Sequence, residues 1–245
     1  MIIGSKKVFI EKLSSTNTHS LYLLRKGKVL EGTIIHTSFQ TAGRGQPGNT
    51  WESQYGKNLL FSIILYPLTI RADRQFIISK MISLGIRDYL TKIVPEVSIK
   101  WPNDIYVSND KIAGILIENS VISGEIDNTI AGIGLNVNQE KFSGAVPNPT
   151  SLIKLTGRNF DLEECLNELS GRIDLRYKQM LYDKKAMIDE DYISSLYRYG
   201  DFNEFIDSNG IFEGRIIAVT DTGRLQIEDR RGRIYEYGYK EVNFL

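Results

Sequence analysis

The segment Gln40-Thr41-Ala42-Gly43-Arg44-Gly45-Gln46-Pro47-Gly48-Asn49-Thr50-Trp51 carries three glycines, one proline and one arginine. Glycines let backbone N–H groups come close to an anion. Arg44 adds a planar guanidinium fork suited to phosphate or carboxylate. The segment lacks the terminal Gly-Lys-Ser/Thr of a P-loop, and no helical pattern follows it as in a dinucleotide fingerprint. A flexible surface loop has the same composition. Lys100-Trp101-Pro102-Asn103-Asp104 offers an amide and a carboxylate. Those groups can accept from an adenine amine or hold a metal near a triphosphate. They can equally form a strand-entry kink, since proline removes a ladder donor. Lys111 begins a strand and Gly114 leaves room beside its backbone, although a solvated lysine and plain sheet packing fit as well. Gly132-Ile133-Gly134-Leu135-Asn136 is strand-like, and its two glycines point to a close neighbour. Asn136 needs a partner if buried.

The elements that must position these residues follow from periodicity. Ser14-Ser15-Thr16-Asn17 is a cluster of N-cap residues, and Leu21 and Leu24 follow at helical spacing, which predicts a helix over 14–27. Residues 33–39 and 59–66 read as strands, the second as a buried one. Ile78, Ile82, Ile86, Tyr89, Leu90 and Ile93 recur at steps of three and four, a helix over 73–93. Strands over 98–107 and 111–119 meet at Ser108-Asn109-Asp110, a hairpin signal. Another strand spans 129–137. Asp161 with Glu164 has capping-box spacing. Leu162, Cys165, Leu166, Leu169, Ile173 and Tyr177 then form a helical stripe, which places Cys165 in the core. Short strands at 211–219, 223–228 and 233–239 make a small all-β module. The pattern predicts an α+β fold: a mixed or antiparallel sheet with helices packed on one face. A catalytic domain over 1–198 and a barrel-like β-module over 199–245 are expected.

Composition narrows the function classes. Thirty basic and thirty acidic residues in 245 leave no net charge, so any anion binding is local. One cysteine and two histidines argue against a disulfide framework or a structural zinc site and fit a cytoplasmic chain. The apolar run Leu59–Tyr66 is too short to span a bilayer. Asp221, Arg224 and Glu228 read as a solvated face of the C-terminal module.

Taken in order, Ser15-Thr16-Asn17, QTAGRG with Trp51, KWPND, KIAGIL and GIGLNVN resemble the biotin protein ligase family, over residues 5 to 140. The C-terminal module resembles that family's SH3-like domain. The resemblance implies an ATP-dependent ligase that makes biotinyl-5'-AMP and then biotinylates a lysine of a biotin carboxyl carrier protein. It puts Ser15, Thr16, Asn17, Gln40, Gly43, Arg44, Gly45, Gln46, Lys111, Gly114 and Gly134 on the biotin side. Trp51, Lys100, Asn103, Asp104, Lys111 and Asn136 fall on the nucleotide side, with Trp51 near adenine. Lys111 and Arg44 are the implied catalytic residues, acting by electrostatic stabilisation. Mg²⁺ would accompany ATP. Many members carry further arginines where Gln46 and Asn49 stand here, and Lys57 or Lys100 is a candidate for the missing charge. Contact with biotin begins at residue 15, which implies a form without a DNA-binding domain and no sequence-specific DNA binding. A sheet edge could add a carrier strand or pair two copies as a homodimer. A lipoate ligase and a biotin-sensing module that never transfers are the competing readings.

Overall fold

In the run Leu59–Leu65 every residue is buried, so this strand has neighbours on both faces and both edges. It is the centre of the structure, a computed structural model that describes residues 1–68, 70–143, 147–182 and 184–245. In chain order the first half contains β1 (Lys7–Phe9), β2 (Lys12–Leu13), α1 (Thr16–Lys26), β3 (Ile34–Thr37), β4 (Phe39–Gln40), β5 (Leu59–Leu65), α2 (Phe76–Leu90), β6 (Val97–Lys100), β7 (Asp104–Val107), β8 (Asp110–Ile122) and β9 (Glu125–Leu135). The second half contains α3 (Leu152–Thr156), α4 (Leu162–Leu181), α5 (Lys185–Ser194), β10 (Asn203–Asp207), β11 (Gly210–Val219), β12 (Leu225–Asp229), β13 (Ile234–Tyr237) and β14 (Asn243–Phe244).

Seven strands form one sheet in the order β1-β3-β5-β9-β8-β7-β6. The pair β1–β3 is parallel and the others are antiparallel, so the sheet is mixed. Alternate residues of β5 face opposite ways. Phe61, Ile63 and Leu65 join the core beneath α2 and α4. Ser62 faces the other way and bonds α1, at Thr16 Oγ1 (2.7 Å) and Asn17 Oδ1 (2.6 Å). The helices that build the core thus lie on one face, and the short α1 sits on the other.

Two helix signals hold in the structure. Asp161 caps α4 by accepting from Glu164 N–H at 2.9 Å, and Cys165 is buried on the apolar stripe. The helix expected over 73–93 is shorter, because a 3₁₀ turn at Ala72–Arg74 precedes it and the chain leaves α2 at Leu90. The strand expected over 98–107 is two strands. Trp101-Pro102-Asn103 is a hairpin turn between β6 and β7, and its Trp101–Pro102 peptide is cis. Asn103 staples that turn: Ile115 N–H donates to its carbonyl (2.9 Å), and its Nδ2 donates to the Ile115 carbonyl (2.7 Å).

The C-terminal strands form an antiparallel sheet ordered β13-β12-β11-β10-β14. The expected barrel does not close. Among the described residues its edge strands β13 and β14 are not paired with each other, and β14 is only two residues long. Phe205, Ile216, Leu225 and Ile227 of this sheet belong to the same core as Ile99, Trp101 and Tyr192. Trp101 Nε1 also donates to the Gly223 carbonyl at 3.0 Å. Burial and a hydrogen bond therefore fix the C-terminal sheet against the turn that bears the Lys100–Asp104 motif.

Candidate active site

The start of α1 lies against the sheet because residue 132 is glycine: a Cβ there would overlap the Asn17 amide. Ser15 occupies the N-cap but makes no side-chain cap bond. Gln40 reaches across instead, and its Oε1 accepts from Thr16 N–H (2.8 Å) and Thr16 Oγ1 (3.2 Å). A side chain distant in sequence thus satisfies a donor that the helix leaves open. Asn17 Nδ2 donates to the Leu116 carbonyl (3.2 Å) and to Glu118 (2.8 Å). Arg44 grips the same carboxylate through two bonds, 3.1 and 2.8 Å long. The result is a polar floor of hydroxyls and amides bordered by a bidentate ion pair.

The glycine-rich loop folds back on itself. Trp51 N–H donates to the Gly43 carbonyl at 3.0 Å, and a Cβ at Gly43 would lie 2.5 Å from the Trp51 carbonyl oxygen. Gly43 is therefore needed to close the base of the loop. The turn throws the Trp51 indole flat onto Gly114 and Gly134, which face each other in the β8–β9 register. A Cβ at Gly114 would lie 2.7 Å from Trp51 Cζ3, and one at Gly134 would overlap the indole. The room expected beside Gly114 is thus filled by Trp51 in this structure.

Lys111 lies over the indole, its Nζ 5.7 Å from the ring centroid and 2.7 Å from Asp104 Oδ1. Burial raises the Asp104 pKa above the ordinary carboxylate value, and the Lys111 and Lys100 ammoniums oppose that rise. Lys100 is held among rings: Tyr106 at 4.8 Å, Phe244 at 5.1 Å and Tyr197 at 5.7 Å. Burial lowers its pKa, with Asp104 acting in the other direction.

These groups surround one cleft of about 410 Å³, ample for a small organic ligand. Ser15, Thr16, Asn17, Gln40, Arg44, Gly45, Gln46, Trp51, Lys100, Asn103, Asp104, Lys111, Gly114 and Gly134 all line it. Two expected residues stand outside its wall. Gly43 closes the loop base. Asn136 is buried just past β9, where its Nδ2 donates to the Thr150 carbonyl at 3.0 Å and its Oδ1 has no partner among the described residues. It pins the segment before α3 instead of facing the cleft.

Several residues of the site escaped the sequence reading. Ser62 carried one signal, a lone hydroxyl in an apolar strand. Gly132 lay within a motif but had no visible partner. Glu118 looked like an ordinary strand carboxylate. Tyr239, Lys240 and Phe244 line the cleft from the C-terminal segment, and no motif marked them.

The sequence profile of the Biotin/lipoate A/B protein ligase family matches residues 9–136, just over half of the chain. The chain belongs to this family. It is 28% identical over 237 residues to the bifunctional ligase/repressor BirA of Bacillus subtilis (strain 168), covering 94% of this chain and 72% of that protein. It is also 28% identical over 235 residues to the biotin–(acetyl-CoA-carboxylase) ligase of Paracoccus denitrificans, covering 91% and 95%. Among solved structures, the biotin protein ligase from Aquifex aeolicus in complex with biotin and ATP superposes with a TM-score of 0.80 at 27% identity. That match covers 98% of this chain and 99% of the other. The match therefore extends through the C-terminal sheet.

Proposed function

We infer that this protein is an ATP-dependent biotin protein ligase. It joins biotin to ATP as biotinyl-5'-AMP with release of pyrophosphate, then passes the biotinyl group to a lysine of a biotin carboxyl carrier protein. The observation that carries this reading is the single cleft that joins a floor of neutral hydroxyls and amides to a rim of cations. Biotin has matching parts, a ureido ring with two N–H donors and one acceptor, and a carboxylate at the far end.

In the first step a biotin carboxylate oxygen attacks the α-phosphorus and the bond to pyrophosphate breaks. In the second, an uncharged lysine amine attacks the acyl carbon, AMP leaves and the amine loses its proton. Two anions must meet in the first step, so fixed positive charge is the main requirement. Asn17, Thr16 and Gln40 are assigned to the ureido ring. Arg44 is assigned to the carboxylate, for which it must exchange Glu118. Lys111 is assigned to the oxygen between acyl carbon and phosphorus, where negative charge is shared as the bond forms. Asn103, Asp104 and Lys100 border the nucleotide side.

Mg²⁺ fits this site only as part of its substrate. Among the described residues no group of three His, Cys, Asp or Glu could hold a metal ion. Asp104 is the one carboxylate among the described cleft-lining residues, and it is committed to Lys111. An ion carried by ATP would shield phosphate oxygens from the attacking carboxylate.

The reading also divides the chain into a catalytic part over 1–198 and an accessory sheet over 199–245. With equal numbers of acidic and basic residues it includes no sequence-specific DNA binding. The edge strand β1 is the candidate for strand addition by a carrier or by a second copy.

The direct test is ATP–pyrophosphate exchange with biotin or lipoate as the acid. Exchange that requires biotin and ignores lipoate is expected, and exchange with lipoate alone would overturn the assignment. Incubation with a carrier domain and ATP, followed by an avidin blot, tests transfer. A blank blot from folded protein would favour a module that binds without transferring.

A further inference from the structure

Four cations line the cleft among the described residues: Arg44, Lys100, Lys111 and Lys240. Two are already neutralised, Arg44 by Glu118 and Lys111 by Asp104. Lys100 is enclosed by three aromatic rings. Lys240 differs from all three. Its Nζ donates to the Pro47 carbonyl at 3.0 Å and lies 5.4 Å from its neighbour Tyr239's ring centroid, and no ion pair to it is found among the described residues. Its backbone is held at φ +66°, a left-handed conformation that side chains rarely adopt.

Lys240 stands over the tip of the glycine-rich loop. Its Nζ would lie 3.6 Å from a Cβ at Gly48. Its neighbour Tyr239 accepts a bond from Asn49 Nδ2 at 3.3 Å. From Gln40 to Trp51 the loop has a single cation, Arg44. Among the described residues, the one lysine with no carboxylate partner that touches the loop therefore comes from the C-terminal segment.

We propose that Lys240 is the phosphate-binding cation of this enzyme, moving from the Pro47 carbonyl to the phosphate oxygens of ATP and of the acyl-adenylate. The proposal rests on the ligase reading for the identity of the anion. A carbonyl is a weak partner for an ammonium and a phosphate a strong one, so the exchange is favourable. The exchange transfers the lysine from the loop tip, where it is held without nucleotide, to the ligand.

The test uses the full chain and three variants, Lys240→Met, Lys240→Gln and Lys240→Arg, with equilibrium ATP binding and the KM for ATP in biotin-dependent exchange as readouts. Lys240→Met is expected to weaken ATP by roughly tenfold or more in both, the loss of about one charge-assisted contact. Biotin affinity without nucleotide should stay within about twofold, since no charge is removed from the polar floor. Lys240→Gln keeps a donor for the Pro47 carbonyl but no charge, and should be as weak as Lys240→Met. Lys240→Arg should bind like the native chain. ATP affinity of Lys240→Met within about twofold of native would overturn the proposal. Native-like binding by Lys240→Gln would also overturn it, because the residue would then be only a latch on the loop. Failure of the ligase reading is distinguishable: the native chain would show no biotin-dependent exchange, while ATP binding could still be compared across the variants.

Discussion

At the scale of single residues, two of the four cations described along the cleft, Arg44 and Lys111, are held in ion pairs. Lys111 and Asp104 are 2.7 Å apart, and burial already pushes the Asp104 carboxyl upward. Removing one partner of such a pair leaves the other uncompensated. Lys111→Met is expected to lower ATP–pyrophosphate exchange by about 10²–10³-fold, as loss of one transition-state donor does. The double variant Lys111→Met/Asp104→Asn separates the two effects. Thermal unfolding should show stability regained relative to Lys111→Met, and exchange should stay low. A second prediction concerns retention of the intermediate. Gln46 lines the cleft without charge. Gln46→Arg should slow escape of biotinyl-adenylate during turnover, measured as free adenylate in solution, and an unchanged release rate would refute this.

At the scale of elements, the site depends on two strands kept thin by glycine and on a loop that lands on them. Gly114 and Gly134 are opposed in register, and together they make a shallow bed for the Trp51 indole. Gly134→Ala should lift that ring and, with it, the loop that ends at Trp51. Its backbone is an ordinary strand, so the effect is steric and the fold should survive. Trp51 fluorescence should shift relative to the native chain, and affinity for biotin should fall by about tenfold, because one misplaced wall of a preorganised site is costly. An unaltered spectrum with native affinity would show that the bed can give way without moving the loop. The motif around Pro102 teaches the same lesson. Its residues serve the hairpin turn through Asn103 and Ile115, and that turn places Asp104 opposite Gly114 and beside Lys111.

At the scale of the whole molecule, contacts between distant parts of the chain hold the frame around the cleft. Asp174 on α4 accepts from Ile2 N–H (2.7 Å) and Ile3 N–H (2.9 Å) and pairs with Lys178. Burial opposes its ionisation, but the bonds from Lys178, Ile3 and Ile2 outweigh this and lower its pKa. A carboxylate with a lowered folded pKa contributes stability above its unfolded value of about 3.9 and loses it as pH falls further. Asp174→Asn should therefore cost roughly 1–3 kcal/mol near neutral pH in denaturant unfolding. The gap between the two proteins should narrow below about pH 3.9. A gap independent of pH would show that the amide loses packing and not charge. At the other end of the chain, Trp101 bonds Gly223 and Lys240 reaches Pro47, so the accessory sheet is tied to both the KWPND turn and the loop.

Much of this was legible in the sequence, for a physical reason. Periodicity is local, so the buried strand at 59–65, the apolar stripe of α4 and its Asp161 cap could be read from neighbours alone. Residue type limits chemistry, so a glycine-rich loop with one arginine, a lysine entering a strand and an amide pair marked candidates for a site before any geometry was known. Fourteen of the expected site residues do line one cleft. What the sequence left open were facts about distance. That Gln40 caps α1, that Glu118 occupies Arg44, that Trp51 fills the space beside Gly114 and that Asn136 turns away from the cleft all depend on segments tens of residues apart. So does the meeting of Lys240 with the loop, 193 positions earlier in the chain. Spacing along a chain fixes which face of one element a side chain takes. Which partner it meets there is decided only when the elements pack, because packing selects among the several partners that each polar group could chemically accept.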